Sequence, residues 1–167
     1  MNRREFFSIT ASVVLFSGCA PKPKFIAYNG PKVTHIIVEK SSRNMWLMHK
    51  DKVLKKIKID LGFEPVGHKQ VEGDGRTPEG RYYINRRNPD SAYYLSLGLS
   101  YPNAQDRAKA RAMGKSPGGD IFIHGGPNLS GDRNKPDWTA GCISISDKEI
   151  REAYSMVAIG TPINILP

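Results

Sequence analysis

Cysteine is scarce in this sequence: Cys19 and Cys142 are the only two in 167 residues. Neither belongs to a C-x-x-C pair, and the four histidines show no H-x-x-x-H spacing, so nothing resembles a zinc site or a dithiol redox motif. Long hydrophobic runs are also missing. The longest apolar stretch, Phe6 to Phe16, is too short to cross about 30 Å of hydrocarbon as a helix. There is no internal repeat. Acidic residues are fewer than basic ones, 16 against 25, which gives a net charge of +9. A basic surface favours anionic partners, but no nucleic-acid-binding motif accompanies it, and the reading is no nucleic acid.

The N-terminus reads as an export segment. Arg3 and Arg4 precede the apolar stretch, which ends in Leu15-Phe16-Ser17-Gly18-Cys19. Small residues just before a cysteine resemble a bacterial lipobox, so residues 1–18 read as a lipoprotein signal peptide and Cys19 as the lipidation site. The Arg-Arg-Glu-Phe-Phe run also resembles a twin-arginine signal, which leaves the export route open. Residues 19–32 hold Pro21, Pro23, Pro31 and Gly30 and read as a tether. The expected location is the periplasm or cell envelope by lipid anchor. Ala20 after the cysteine, rather than Asp, favours the outer membrane. The remainder, 33–167, suits one domain and stays basic, since Arg3, Arg4 and Glu5 are the only charges lost with the signal.

Within the domain the hydrophobic period is mostly two. Strands are predicted at Val33 to Glu39, Asn44 to His49, Val53 to Leu61, Gly80 to Arg86, Tyr94 to Leu97, Ile121 to His124, Cys142 to Ser146 and Thr161 to Leu166. The first three read as an antiparallel meander. Helices are predicted at Asn103 to Met113, stopped by Gly114, and from Ser146 to about Val157, where Ser146 and Glu149 form a capping box. The fold class is mainly β with two short helices.

Cys142 admits four readings: core thiol, half of a disulfide, metal ligand or nucleophile. Acylation of Cys19 would remove the disulfide partner, and the metal reading lacks ligand spacing. The core thiol and the nucleophile remain. A nucleophilic thiol needs a base, because little of an ordinary thiol is thiolate at pH 7. His124 closes the apolar strand I-F-I-H and leads into Gly125-Gly126-Pro127, where sites are usually placed. His35, His49 and His68 read as structural or surface residues. Gly141 and Cys142 offer backbone N–H groups for an oxyanion, and the Thr139 hydroxyl can orient a neighbour. Gly125 bends the chain beside His124, and Trp138 is either a groove wall or core. Asp137 reads as a turn cap. The basic helix from Asn103 to Lys115 is either a lid or a solvated face.

His124-Gly125, followed by Thr139-Ala140-Gly141-Cys142-Ile143, resembles the active-site signature of the L,D-transpeptidase catalytic domain family (YkuD type). Arg76-Thr77-Pro78-Glu79-Gly80-Arg81-Tyr82-Tyr83-Ile84 resembles the same family's segment before an aromatic strand. The resemblance runs from about Val33 to Pro167. It departs at Ala140, where the family often has His, and at Ser144, where it often has Arg. Both departures resemble a divergent YafK-like branch.

The resemblance implies a β-sandwich or barrel-like single domain and an exported cysteine acyl-transferase acting on peptidoglycan stem peptides. Cys142, His124, Gly141 and Thr139 would be catalytic, and Gly125, Trp138 and Arg76 would bind substrate. Arg76, Arg81, Arg107, Lys109 and Arg133 are candidates to replace the family arginine. The acyl acceptor would be an amine, including one on an envelope lipoprotein, or water. Neither metal nor organic cofactor is implied. The alternatives are a hydrolase of the same fold, acting as amidase or L,D-carboxypeptidase, and an inactive cell-wall-binding lipoprotein. An active Cys142 is expected to alkylate faster than a free model thiol at neutral pH.

Overall fold

The computed structural model describes residues 23–167 apart from 129, 133 and 134. The proposed signal peptide and Cys19 lie outside the described residues. Among those described, no helix is long and apolar enough to cross a membrane.

Eight strands form one curled sheet: β1 (His35–Glu39), β2 (Asn44–His49), β3 (Lys52–Lys58), β4 (Gly80–Asn88), β5 (Ser96–Leu99), β6 (Phe122–His124), β7 (Ile143–Ser144) and β8 (Pro162–Leu166). The strand order is β3-β2-β1-β8-β4-β5-β6-β7. The predicted meander is present, with β1, β2 and β3 paired antiparallel. The last strand is inserted rather than added at an edge. β8 runs parallel to β1 and antiparallel to β4, joining the meander to the second half of the sheet.

Alternation explains the core. In β1, Ile36 and Val38 are buried while their neighbours are half-buried, and β8 buries Ile163 and Ile165 in the same way. β5 is buried along its whole length, and helix α2 (Asp147–Met156) packs against β5 and β6. That helix buries Ile150, Ala153 and Tyr154 and opens with the predicted capping box, Ser146 with Glu149. Helix α1 (Ala104–Ala112) is capped by Asn103 and Asp106. It is attached through Asp106, whose carboxylate accepts from the Tyr82 hydroxyl at 2.9 Å.

The long connection between β3 and β4 is held by two buried lysines. Lys40 Nζ donates to the Gly67 carbonyl at 2.6 Å, to the Thr77 carbonyl at 3.2 Å and to Glu79 at 2.8 Å. Lys69 Nζ donates to Asp74 and to the Val71 carbonyl. A buried ammonium is tolerated only when its protons are matched, and these matches fix a segment that has no ladder of its own.

Candidate active site

Residues 139–144 lie between two partners. On one side β7 pairs parallel with β6, matching Ile143 to Ile123 and Ser144 to His124. On the other side the start of the β3–β4 connection pairs with them. Asp60 exchanges N–H···O bonds with Ser144 at 2.9 and 2.8 Å, Phe63 N–H donates to the Thr139 carbonyl at 2.8 Å, and Thr139 N–H donates to the Leu61 carbonyl at 3.1 Å. Side chains alternate along a strand, so Cys142 emerges on the same face as Phe122 and His124.

These side chains line a cleft of about 270 Å³, together with Asp120, Tyr93 and Ser96. Its size suits a small peptide segment. Cys142 is half-buried and has no disulfide partner among the described residues, and its thiol donates to the Asp120 carbonyl at 3.5 Å. Burial pushes the thiol up from its ordinary range. The Phe122 N–H facing the sulfur and the Lys69 charge act in the opposite direction. This direction favours the thiol over the thiolate at neutral pH. A raised pKa runs against the sequence-based expectation of fast alkylation, because alkylation follows the thiolate.

His124 is 4% exposed. Its Nδ1 lies 2.7 Å from the Gly125 carbonyl, which can only accept, so Nδ1 carries the proton. The other nitrogen, Nε2, is left with a lone pair. Burial lowers the pKa of His124, and the Gly125 carbonyl offsets this only in part. The imidazole is thus neutral at pH 7, in the tautomer that can accept a proton through Nε2.

Aromatic rings enclose the imidazole. Tyr93 lies against it at 4.5 Å between centroids, Trp138 meets it edge-on at 5.7 Å, and the two aromatic side chains are 5.6 Å apart. Trp138 thus packs behind the imidazole and is not among the residues lining the cleft. Gly125 is placed by crowding: a Cβ there would fall 2.4 Å from Asp147 Oδ1 and 2.9 Å from the Tyr93 carbonyl. The same Asp147 oxygen accepts from Gly126 N–H, so the start of α2 anchors the turn after His124.

Thr139 is buried, and its hydroxyl bridges the loop. Oγ1 donates to the Cys142 carbonyl at 2.7 Å and accepts from Gly141 N–H at 3.1 Å. That N–H is engaged within the loop. Asp137 does more than cap a turn. Arg43 donates to its carboxylate through Nε at 2.9 Å and Nη2 at 2.6 Å, and Leu61 N–H donates to Oδ1 at 3.0 Å.

Arg76 does not line the cleft. Its carbonyl packs behind Gly141, and its Nε is buried without a hydrogen-bond partner among the described residues. Arg81, Arg107 and Lys109 are also absent from the lining, and Arg133 lies outside the described residues. Helix α1 contributes nothing to the cleft, so its basic face is solvated and is no lid. Sequence reasoning missed Tyr93 and Asp120. The only local signals were an aromatic pair in a Pro/Asp/Ser-rich loop and an acidic residue after two glycines.

A sequence model of the L,D-transpeptidase catalytic domain family (YkuD) matches residues 33–165. The chain belongs to the L,D-transpeptidase catalytic domain family. Its relative YafK from Escherichia coli K12 is 32% identical over 94 residues, covering 55% of this chain and 32% of YafK. Among solved structures, a variant of the helical cell shape determining protein Pgp2 from Campylobacter jejuni superposes with a TM-score of 0.61 and 28% identity. That match covers 85% of this chain and 49% of Pgp2. The L,D-transpeptidase from Mycobacterium smegmatis shares the fold, with a TM-score of 0.55 and 15% identity over 81% of this chain and 59% of that one. The chain spans about a third of the curated relatives it matches and about half of Pgp2. The mainly-β architecture with two helices is thus the L,D-transpeptidase fold.

Proposed function

We propose that this chain is an envelope acyl-transferase acting on peptidoglycan stem peptides, with Cys142 as nucleophile and His124 as general base. The observation that carries this reading is the shared cleft: a buried neutral imidazole whose Nδ1 proton is held by Gly125 lines it together with the one described thiol.

With burial favouring the thiol, proton removal accompanies attack in this reading. His124 Nε2 takes the Sγ proton as sulfur attacks the carbonyl at the L-centre of meso-diaminopimelate in a tetrapeptide stem. The carbon–nitrogen bond to D-Ala breaks, and D-Ala leaves with the proton returned by His124. The thioester on Cys142 is then attacked by an amine or by water, with His124 again taking and returning a proton. A stem amine gives a cross-link, a lipoprotein amine gives a tethered protein, and water gives a trimmed or released stem. Thr139 acts through the loop as a positioning residue, holding the Cys142 carbonyl and Gly141 N–H. Trp138 and Tyr93 shield the imidazole, and Tyr93 forms the groove wall beside it. The domain would be exported by residues 1–18 and anchored through acylated Cys19, which places the cleft against its polymeric substrate.

The test is digestion of purified sacculi carrying tetrapeptide stems and bound lipoprotein. The full chain in detergent is compared with Cys142→Ala, and muropeptides are identified by mass spectrometry. New cross-linked dimers, shortened stems or released lipoprotein fragments, all absent with the variant, are expected. Identical muropeptides from both proteins would refute the enzyme and favour a binding lipoprotein of the same fold.

A further inference from the structure

Beyond the nucleophile and base, the sheet brings a charge pair to the edge of the cleft: Asp120 lines it, and Arg86 reaches Asp120 from outside the lining. Register sets Arg86 of β4 opposite Gly98 of β5, and Gly98 opposite Phe122 of β6. Phe122 in turn neighbours the entry to Cys142. The next row holds Asn88, Ser96 and His124. Arg86 therefore lies in the same cross-strand row as the approach to the thiol.

Gly98 lets Arg86 reach across. A Cβ at Gly98 would fall 2.5 Å from Arg86 Cγ and 2.8 Å from its Nε, so the arginine stem occupies the space a side chain would fill. The guanidinium continues over the Phe122 ring, 4.5 Å from its centroid, and Nη2 meets Asp120 Oδ1 at 2.6 Å. Asp120 itself is held in the left-handed region, at φ 54°. Its carbonyl faces the Cys142 thiol while its carboxylate faces Arg86. One residue thus spans the distance from the reacting sulfur to the charge pair. Both charged side chains are open to solvent, Arg86 at 45% and Asp120 at 84%, so a ligand can reach them.

We infer that Arg86 and Asp120 form a subsite that reads a free α-amino-acid end of the substrate, Arg86 taking its carboxylate and Asp120 its ammonium. This deepens the proposed function and rests on it for the identity of the substrate. The two protein charges currently satisfy each other. A zwitterion, carrying both charges on one carbon, can insert between them and pair with each at no net change in charge. A monoanion or monocation would pair with one and strand the other. Stacking on Phe122 holds the guanidinium plane and leaves its edge for two parallel N–H···O bonds to a carboxylate.

The test reads Cys142 directly and needs no turnover. Alkylation of the full chain by iodoacetate and by iodoacetamide is followed by mass spectrometry. In both reactions sulfur bonds to the methylene carbon, iodide leaves and the thiol proton is lost. Arg86→Gln should lower the iodoacetate-to-iodoacetamide rate ratio at least about threefold, because it leaves the Asp120 charge unbalanced beside the thiol, and Asp120→Asn, which frees Arg86, should raise it. Millimolar diaminopimelic acid should slow iodoacetamide alkylation of the wild-type protein, and its N-acetylated, amidated form should not. Either substitution should abolish that protection. Ratios within twofold of wild type in both variants, or equal protection by the blocked and free compounds, would overturn the subsite. Arg86→Lys, which keeps the charge, should retain most of the ratio and separates charge loss from misfolding. Charge-dependent alkylation together with unchanged sacculi would leave the subsite standing and remove only the proposed reaction.

Discussion

Gly62 and Gly141 meet backbone to backbone. A Cβ on Gly62 would fall 2.8 Å from both N and Cα of Gly141 and 1.9 Å from the Gly75 carbonyl oxygen. Gly141 is closed on its other side, where a Cβ would meet the Arg76 carbonyl at 2.7 Å, and its φ is +128°. Both positions take glycine because three backbone segments cross there with no volume left for a side chain.

Gly62→Ala is therefore expected to displace the 139–142 loop. None of the clashing atoms belongs to a flexible side chain, so the backbone must move. The expected loss is about 1–3 kcal/mol of stability, the scale of overpacking. Thermal unfolding checks this. A melt within 1 °C or so of wild type would show that the crossing is looser than described.

Thr139→Val tests the hydroxyl bridge at nearly constant volume. The substitution strands Gly141 N–H and the Cys142 carbonyl, two groups bonded at 3.1 and 2.7 Å. An unmade buried hydrogen bond costs about 1–3 kcal/mol. The loop should loosen, and kcat on stem peptides should fall by at least about tenfold. Thr139→Ser, which restores the hydroxyl, should recover most of the rate. Equal losses in the Ser and Val variants would remove the bridge from the mechanism.

Much of this site was legible in the sequence because local rules decide it. The alternation of I-F-I-H and C-I-S-I and the Ser146–Glu149 box all act within a few residues, and the strands and the second helix formed there. The insertion of β8 between β1 and β4 was not legible, since Ile163 and Ile165 would suit either edge of a sheet equally well. Asp137 was read as a turn cap because its partner Arg43 lies 94 residues away. Arg86 went unnoticed for a related reason: a charged residue in an exposed strand face gives no sign of the glycine opposite it. Arg76 shows the converse case, a matched motif residue that is not among those lining the cleft.

Asp137→Asn should weaken the clamp on residues 60–63. The change keeps size and tolerance of the left-handed conformation, found here at φ 49°, but removes the charge facing Arg43. The pair is partly exposed, so the expected cost is no more than about 1 kcal/mol, and it should shrink further in high salt. Denaturant melts at low and high salt would show this. A salt-independent loss would mean that the carboxylate acts through Leu61 N–H alone.

The pH dependence follows from the neutral, buried His124. Burial lowers its folded pKa below the ordinary 6.5, so the base form survives into mildly acidic solution. The acid limb of kcat/KM should therefore fall below pH 6.5, dropping about tenfold per unit once past the folded pKa. Stability has the same sign. The unfolded chain binds the proton more readily than the folded one, so the contribution of His124 is complete above 6.5 and is lost as pH falls through the folded pKa. His124→Gln should remove this part of the melting profile and abolish activity at every pH. On the alkaline side the raised Cys142 pKa makes iodoacetamide alkylation slower than that of a free thiol at pH 7 and still rising above pH 9. An acid limb at or above 6.5, or a thiol fully reactive at pH 7, would mean that imidazole and sulfur rest as a charged pair. The proton would then already have moved before substrate arrives.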